Sequence, residues 1–119
     1  MTKVVVLDKG EELFKMVSLF IESEFETEVE SSNSFEKYLK EDDLTLFICD
    51  YTFVIDYSDE FKGLQKGDTK RRFIVLEDNL LFGEEEKKEI SNLLSFCKHG
   101  FCHRDLVKQQ FLEMIENFM

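Results

Sequence analysis

Short apolar runs recur along the chain and stop abruptly at polar residues. Three of them, residues 4–7, 44–49 and 73–76, lack the polar alternation of a half-exposed strand. Uninterrupted apolar runs of this length are typical of strands buried on both faces of a parallel sheet. A weaker alternation at residues 25–30 and a brief run at residues 100–103 predict two further strands.

Apolar residues at helical spacing separate these strands. Amphipathic helices are predicted over residues 11–22 and 84–96, and a final helix, capped by Asp105, carries an apolar stripe: Val107, Phe111, Met114, Ile115 and Phe118. Shorter helices are expected at residues 35–39 and around Phe61 and Leu64, the latter ending near Gly67.

Strand and helix therefore alternate from one end of the chain to the other. This alternation predicts an α/β fold in which helices cover both faces of a parallel sheet. We expect a single domain over residues 1–119, with three layers, five parallel strands in the order 2-1-3-4-5 and flavodoxin-like topology.

Composition narrows the possible partners and the compartment. The chain of 119 residues is 43% hydrophobic and carries a net charge of −11, which argues against nucleic acid or a membrane surface as its main partner. The only tight basic run, residues 70–72, is expected to flank a strand. No apolar run approaches a membrane span or a signal-peptide core, and three cysteines do not make a disulfide framework, so a cytoplasmic location is expected.

Charged residues follow the predicted strands where those strands end. Asp8, Asp50 and Glu77 each terminate an apolar run, and the last strand ends at His103 and Arg104. In an open parallel sheet, chemistry collects at the carboxyl ends of the strands, near the point where strand order reverses. The predicted order would place these side chains, together with Lys9, in one crevice.

The segments "VVVLDKG", "LFICDY", "FIVLEDN" and "GFCHRD" resemble the response-regulator receiver family, the CheY-like domains of two-component and phosphorelay signalling. The resemblance covers nearly the whole chain. It implies that Asp50 occupies the position that accepts phosphate from a histidine kinase, and that Asp8 and Asp50 are the candidate Mg²⁺ ligands. It also implies that Phe101 is the switch aromatic and that Arg104 stands where the family has a phosphoryl-binding lysine.

Two positions differ in kind from the family pattern. Lys9 replaces the second acid of the magnesium pair, although Mg²⁺ requires oxygen ligands, so Mg²⁺ binding is expected to be weak and no other cofactor is expected. Glu77 stands where the family has Thr or Ser, and a carboxylate there would repel a phosphoryl group. Asp8, Lys9, Glu77 and Arg104 are instead expected to form a salt-bridge pocket around Asp50.

The resemblance and these departures together predict a pseudo-receiver, a non-enzymatic domain that signals by protein–protein interaction. Its partner would be a histidine kinase or a downstream signalling protein, with a homodimer through the fourth helix, fifth strand and fifth helix as a further possibility. The alternative is a phosphorylatable single-domain response regulator with Asp50 as phosphoacceptor. A third interpretation is an unrelated α/β domain that binds flavin or a nucleotide. This interpretation is disfavoured because the glycines do not form a phosphate-binding loop motif.

Other groups of reactive or charged residues have simpler interpretations. Cys97, His99, Cys102 and His103 contain zinc-ligand types, but Cys102 and His103 are neighbours on a predicted strand and should point to opposite faces. Cys97 fits the apolar stripe of the preceding helix, so core cysteines and a rim histidine are favoured over zinc, and over cysteine–histidine catalysis. The acidic segments 22–28 and 84–89 are interpreted as solvated faces, with docking to a basic partner as the alternative.

Overall fold

The computed structural model describes residues 3–7, 12–25, 27, 29–32, 44–62, 68–77, 83–95, 97–103 and 108–118. The strands are β1 (Lys3–Leu7), β2 (Val29–Ser32), β3 (Thr45–Asp50), β4 (Asp68–Glu77) and β5 (Cys97–His103). The helices among these residues are α1 (Glu12–Glu24), α2 (Tyr51–Asp56), α3 (Ser58–Lys62), α4 (Glu84–Leu93) and α5 (Lys108–Phe118).

All five strands form one sheet in which every pairing is parallel and the strand order is β2-β1-β3-β4-β5. This confirms the predicted α/β fold, strand order and flavodoxin-like topology. The central strand β3 pairs with β1 on one side and with β4 on the other, from Thr45 onward. Among the described helices, none is long and apolar enough to cross a membrane.

The apolar core lies in two layers, one on each face of the sheet. Alternate strand residues point to opposite faces, so Phe47 and Cys49 of β3 join one layer while Leu46 and Ile48 join the other. The first layer packs against α2, α3 and α4, and the second packs against α1 and α5. The molecule therefore has the predicted three layers.

Aromatic rings fill the layer beneath α2, α3 and α4. Phe47 and Phe73, paired in register on β3 and β4, stack with their ring centroids 4.8 Å apart. Phe61 of α3 meets Phe73 edge-on at 5.5 Å, and all three rings are buried. The predicted inward position of Phe61 is confirmed, but its helix is only five residues long, and Leu64 and Gly67 lie outside the described residues.

The first helix is longer than its sequence pattern indicated, and the second strand is shorter. α1 continues to Glu24, and the backbone N–H of Phe25 still donates to the carbonyl of Ile21 at 2.8 Å. The prediction of a strand from residue 25 was therefore wrong, because Phe25 completes the last helical turn and β2 begins only at Val29. The predicted helix over residues 35–39 and the cap at Asp105 lie outside the described residues.

The basic run lies within β4 instead of flanking a strand, because this strand begins at Asp68 with a register irregularity before Arg72. The Arg72 guanidinium donates from Nη1 to the backbone carbonyl of Phe118. The last carbonyls of a helix have no partner within the helix, so Arg72 satisfies one of them and ties the end of α5 to the start of β4. The expectation that these residues only border a strand was wrong.

Two further boundaries differ from the predictions. β5 begins at Cys97 and α4 ends at Leu93, so Cys97 lies on a strand and the assignment of this residue to the helical stripe was wrong. Its Sγ contacts the carbonyl oxygen of Leu94 at 3.7 Å, and it still packs against the core. The short helix α2 directly after Asp50 was not foreseen.

Replacing Phe47 by alanine is expected to cost about 3–5 kcal/mol of unfolding free energy, because the substitution leaves a cavity beside the Phe73 ring. The matched control is Leu19→Ala on α1, where the side chain is 72% exposed and the change should stay within about 0.5 kcal/mol. Urea unfolding of both variants measures the difference. Equal losses would contradict the assignment of Phe47 to the core.

Candidate functional site

The ends of β3, β4 and β5 lie side by side and bring three of the predicted site residues, Asp50, Glu77 and Phe101, to one edge of the sheet. Asp50 is in register with Leu76, the residue before Glu77, and Glu77 is in register with His103. Phe101 lies two residues before the end of β5, beside Val75. Asp50 and Glu77 are both partly accessible to solvent, as expected for residues at the rim of a buried sheet.

Asp50 is the last residue of β3 and also the N-cap of α2. Its backbone is extended, and its Oδ1 accepts from the backbone N–H of Thr52 at 3.3 Å and from the Thr52 hydroxyl at 3.4 Å. A carboxylate at this position satisfies one of the unpaired N–H groups of the first helical turn. Asp50 therefore has a structural role at the place where the chain passes from strand to helix.

Glu77 pairs with a lysine of α4. Lys87 Nζ lies 3.9 Å from Glu77 Oε2 and 5.0 Å from the centroid of the Phe101 ring. The ammonium group thus bridges the carboxylate at the end of β4 and the aromatic ring on β5, combining an ion pair with a cation–π contact. Phe101 is half-buried and packs against the core layer beneath α4.

Lys87 was absent from the site predicted from the sequence, because it lies in the charged segment 84–89, interpreted there as a solvated face. Its neighbours Glu86 and Lys88 are exposed, whereas Lys87 is half-buried. Its position gives the missing signal: it precedes Ile90 by three residues and Leu94 by seven, so it extends the buried stripe of α4.

Three residues of the predicted salt-bridge pocket, Asp8, Lys9 and Arg104, lie outside the described residues. The described part of the chain therefore contributes Asp50, Glu77 and Phe101 to this site, and it adds Lys87. Within this part, no three histidine, cysteine or acidic side chains gather in a way that could hold a metal ion. Asp50 is the single candidate Mg²⁺ ligand that falls among the described residues.

The cysteines and histidines of β5 are spread over both faces of the strand. Cys102 packs against the core layer beneath α1 and α5, while Cys97 packs on the opposite layer and His103 is exposed. His99 meets the Phe101 ring edge-on at 6.1 Å. Strand alternation thus separates Cys102 from His103, as the sequence predicted.

Two thiols near the strand ends are poor nucleophiles. Burial raises the pKa of the Cys49 thiol far above its usual range, and electrostatic interaction with Asp50 and, to a smaller extent, with Cys97 raises this pKa further. Burial also raises the pKa of Cys102, with Glu77 adding to the shift and a backbone hydrogen bond at His103 opposing it. Because the thiolate is the reactive form, neither cysteine is activated for catalysis.

No protein-family model, curated protein or solved structure matches this chain.

Lys87→Gln is expected to lower the unfolding free energy by up to about 1 kcal/mol, because it removes a partly exposed ion pair and a cation–π contact. The NMR signals of the Phe101 ring should shift as well, since the ammonium group lies over this ring. Lys88→Gln changes the same charge on an exposed position of α4 and serves as the control. Equal effects of the two variants on Phe101 would contradict the bridging contact.

Stability should fall as the pH rises above about 8.5, the ordinary pKa of a cysteine in an unfolded chain. Above this pH the unfolded state releases the Cys49 proton while the folded state retains it, so proton release favours unfolding. Cys49→Ala should lower stability near pH 7, by leaving a small cavity, yet flatten the decline at alkaline pH. Urea unfolding at several pH values measures both effects. If the unfolding free energy of the variant falls as steeply at alkaline pH as that of the unaltered protein, Cys49 is not the cause of the decline.

Proposed function

We propose that this chain is a receiver-like signalling domain that acts through protein–protein interaction and is not switched by conventional phosphorylation of Asp50. The parallel sheet of order β2-β1-β3-β4-β5 supports this proposal, since it is the topology that the receiver resemblance implies. The position of an aspartate at the end of the central strand supports it too. On this proposal the chain is a pseudo-receiver of a two-component or phosphorelay pathway.

The observation that carries the proposal is the engagement of the Asp50 carboxylate by Thr52. The Oδ1 atom that accepts from the Thr52 N–H and hydroxyl caps α2, and an N-cap of this kind contributes about 1 kcal/mol. Forming an acyl phosphate on Asp50 would convert this charged carboxylate into a neutral acyl group, whose oxygen accepts hydrogen bonds less strongly than a carboxylate oxygen does.

The charges around Asp50 support the same conclusion. Glu77 ends the neighbouring strand and would repel a phosphoryl group on Asp50, whereas a hydroxyl at this position would donate a hydrogen bond to the group. Lys87 is already paired with Glu77, so this cation balances a permanent carboxylate of the protein. Lys87 is therefore engaged by Glu77 in the absence of phosphate.

The proposed interaction surface is the face formed by α4, β5 and α5. β5 lies at the edge of the sheet, and Phe101 lies under Lys87 on this face. Lys98 completes the surface: its Nζ donates to the backbone carbonyl of Asn117 at 3.0 Å and lies 4.7 Å from the Phe118 ring centroid. A kinase, a downstream signalling protein or a second copy of the chain would bind here.

Incubation with acetyl phosphate and Mg²⁺ is expected to leave the intact mass of the protein unchanged, because the carboxylate is engaged and its neighbour is an acid. Beryllofluoride with Mg²⁺ should likewise leave the amide NMR spectrum unchanged. The double variant Lys9→Asp, Glu77→Thr restores the family's residue types at these two positions and should become phosphorylated by acetyl phosphate. The triple variant that also carries Asp50→Asn should not be phosphorylated.

Stoichiometric modification of the unaltered protein at Asp50 would overturn the proposal. The chain would then be a phosphorylatable single-domain response regulator, and Mg²⁺ should raise its melting temperature. If the Lys9→Asp, Glu77→Thr variant is not phosphorylated either, the resemblance to receivers does not extend to phosphoryl transfer to Asp50.

A further inference from the structure

A groove of about 570 Å³ runs between α1 and α5 on the face of the sheet opposite α4. Its lining combines two half-buried apolar side chains, Phe25 and Leu112, with polar and acidic ones: Glu24, Gln109, Glu113 and Glu116. The same two helices also contact each other through Phe20 and Phe111, whose ring centroids lie 6.2 Å apart. The groove therefore combines a strip of apolar surface, formed by Phe25 and Leu112, with an acidic rim.

Two segments distant in the sequence supply this rim. Glu24 comes from the acidic segment 22–28 near the end of α1, and Glu113 and Glu116 lie on exposed positions of α5. The side chains that line the groove within the described residues include no lysine or arginine. The groove thus concentrates negative charge around a strip of apolar surface, in a chain whose net charge is −11.

The groove is separate from the strand-end site. α1 begins after the carboxyl end of β1 and ends before the amino end of β2, so Glu24 and Phe25 lie toward the amino edge of the sheet. Asp50 and Glu77 lie at the carboxyl edge.

We infer that this groove binds a basic amphipathic helix of a partner protein, with one aliphatic or aromatic side chain resting between Phe25 and Leu112 and lysines or arginines facing the acidic rim. Helix-in-groove recognition needs an apolar strip for anchoring side chains, and complementary charge at the rim sets the choice of partner and the association rate. The inference goes beyond the proposed function because it names a partner chemistry at a different surface.

The same charges disfavour the other occupants. A second copy would bring three more rim carboxylates against Glu24, Glu113 and Glu116, and like charges facing each other across an interface are costly. A nucleic acid or an anionic membrane would meet the same repulsion. The apolar strip and the acidic rim of the groove therefore complement a partner that has basic residues around an apolar anchor.

The test uses the whole chain, labelled with ¹⁵N, and a synthetic helical peptide with leucines on one face and lysines on the other. We expect micromolar binding by fluorescence anisotropy, with amide shifts centred on Phe25 and Leu112. A control peptide with serines in place of the leucines should bind roughly tenfold more weakly, because it lacks the apolar anchor. Binding should weaken as salt is raised.

Matched variants separate the groove from general electrostatic attraction. Glu113→Gln with Glu116→Gln should weaken binding about tenfold, whereas Glu85→Gln with Glu89→Gln, an equal charge change on exposed positions of α4, should weaken it less than about twofold. Leu112→Ser should also weaken binding, and the amide spectrum of each variant verifies its fold.

Several results would overturn the inference. A groove-specific site would be contradicted if the two double glutamine variants lost the same peptide affinity, or if the two peptides bound equally well. It would also be contradicted by amide shifts centred on the carboxyl edge of the sheet. No binding of the leucine–lysine peptide would contradict it directly. Sedimentation of the protein alone provides a further check: a dimer that Leu112→Ser dissociates would assign the groove to a second copy.

Discussion

The complete burial of β3 is the constraint on which the rest of the structure depends. This strand lies in the middle of the sheet, and its residues from Thr45 to Cys49 are buried on both faces. A charge inside such a strand would be expensive, so Asp50, at the end of the strand, is the first position where a carboxylate can reach solvent. The chain turns into α2 at this point, and the same carboxylate caps the new helix. The burial of β3 thus determines where Asp50 lies in the chain, and the capping of α2 determines which hydrogen bonds its carboxylate accepts.

The sequence was informative where burial leaves few alternatives. Uninterrupted apolar runs located β1, β3 and the carboxyl half of β4, and the order of elements led to the observed sheet topology. Element ends were predicted less well because local hydrogen bonds decide them: Phe25 extends α1 through a bond to Ile21. The basic residues at the start of β4 were placed outside the strand because propensity does not reveal that the Arg72 guanidinium finds a carbonyl on α5.

The candidate site was predicted only in part. Asp50 and Glu77 lie at neighbouring strand ends, as expected from a parallel sheet, but the cation beside Glu77 comes from α4. The spacing of Lys87 from Ile90 places this residue beside the buried stripe of α4, but spacing alone does not reveal which carboxylate the ammonium group pairs with. The link from Glu77 through Lys87 to Phe101 connects the end of β4 with the surface of β5. Lys87 therefore provides a direct physical contact between a carboxylate at the strand ends and an aromatic ring of the edge strand.

The division of the core between two helical layers affects how the chain can fold during synthesis. Among the described elements, α1 and α5 alone cover one face of the sheet, and Phe111, Ile115 and Phe118 of α5 supply a large part of that layer. These residues follow all five strands in the chain and therefore leave the ribosome after the strands. Until they emerge, the apolar side chains of β1, β3 and β4 on that face remain exposed to water and to other chains. The nascent protein is therefore most prone to aggregation, and most dependent on chaperones, between the emergence of β5 and that of α5.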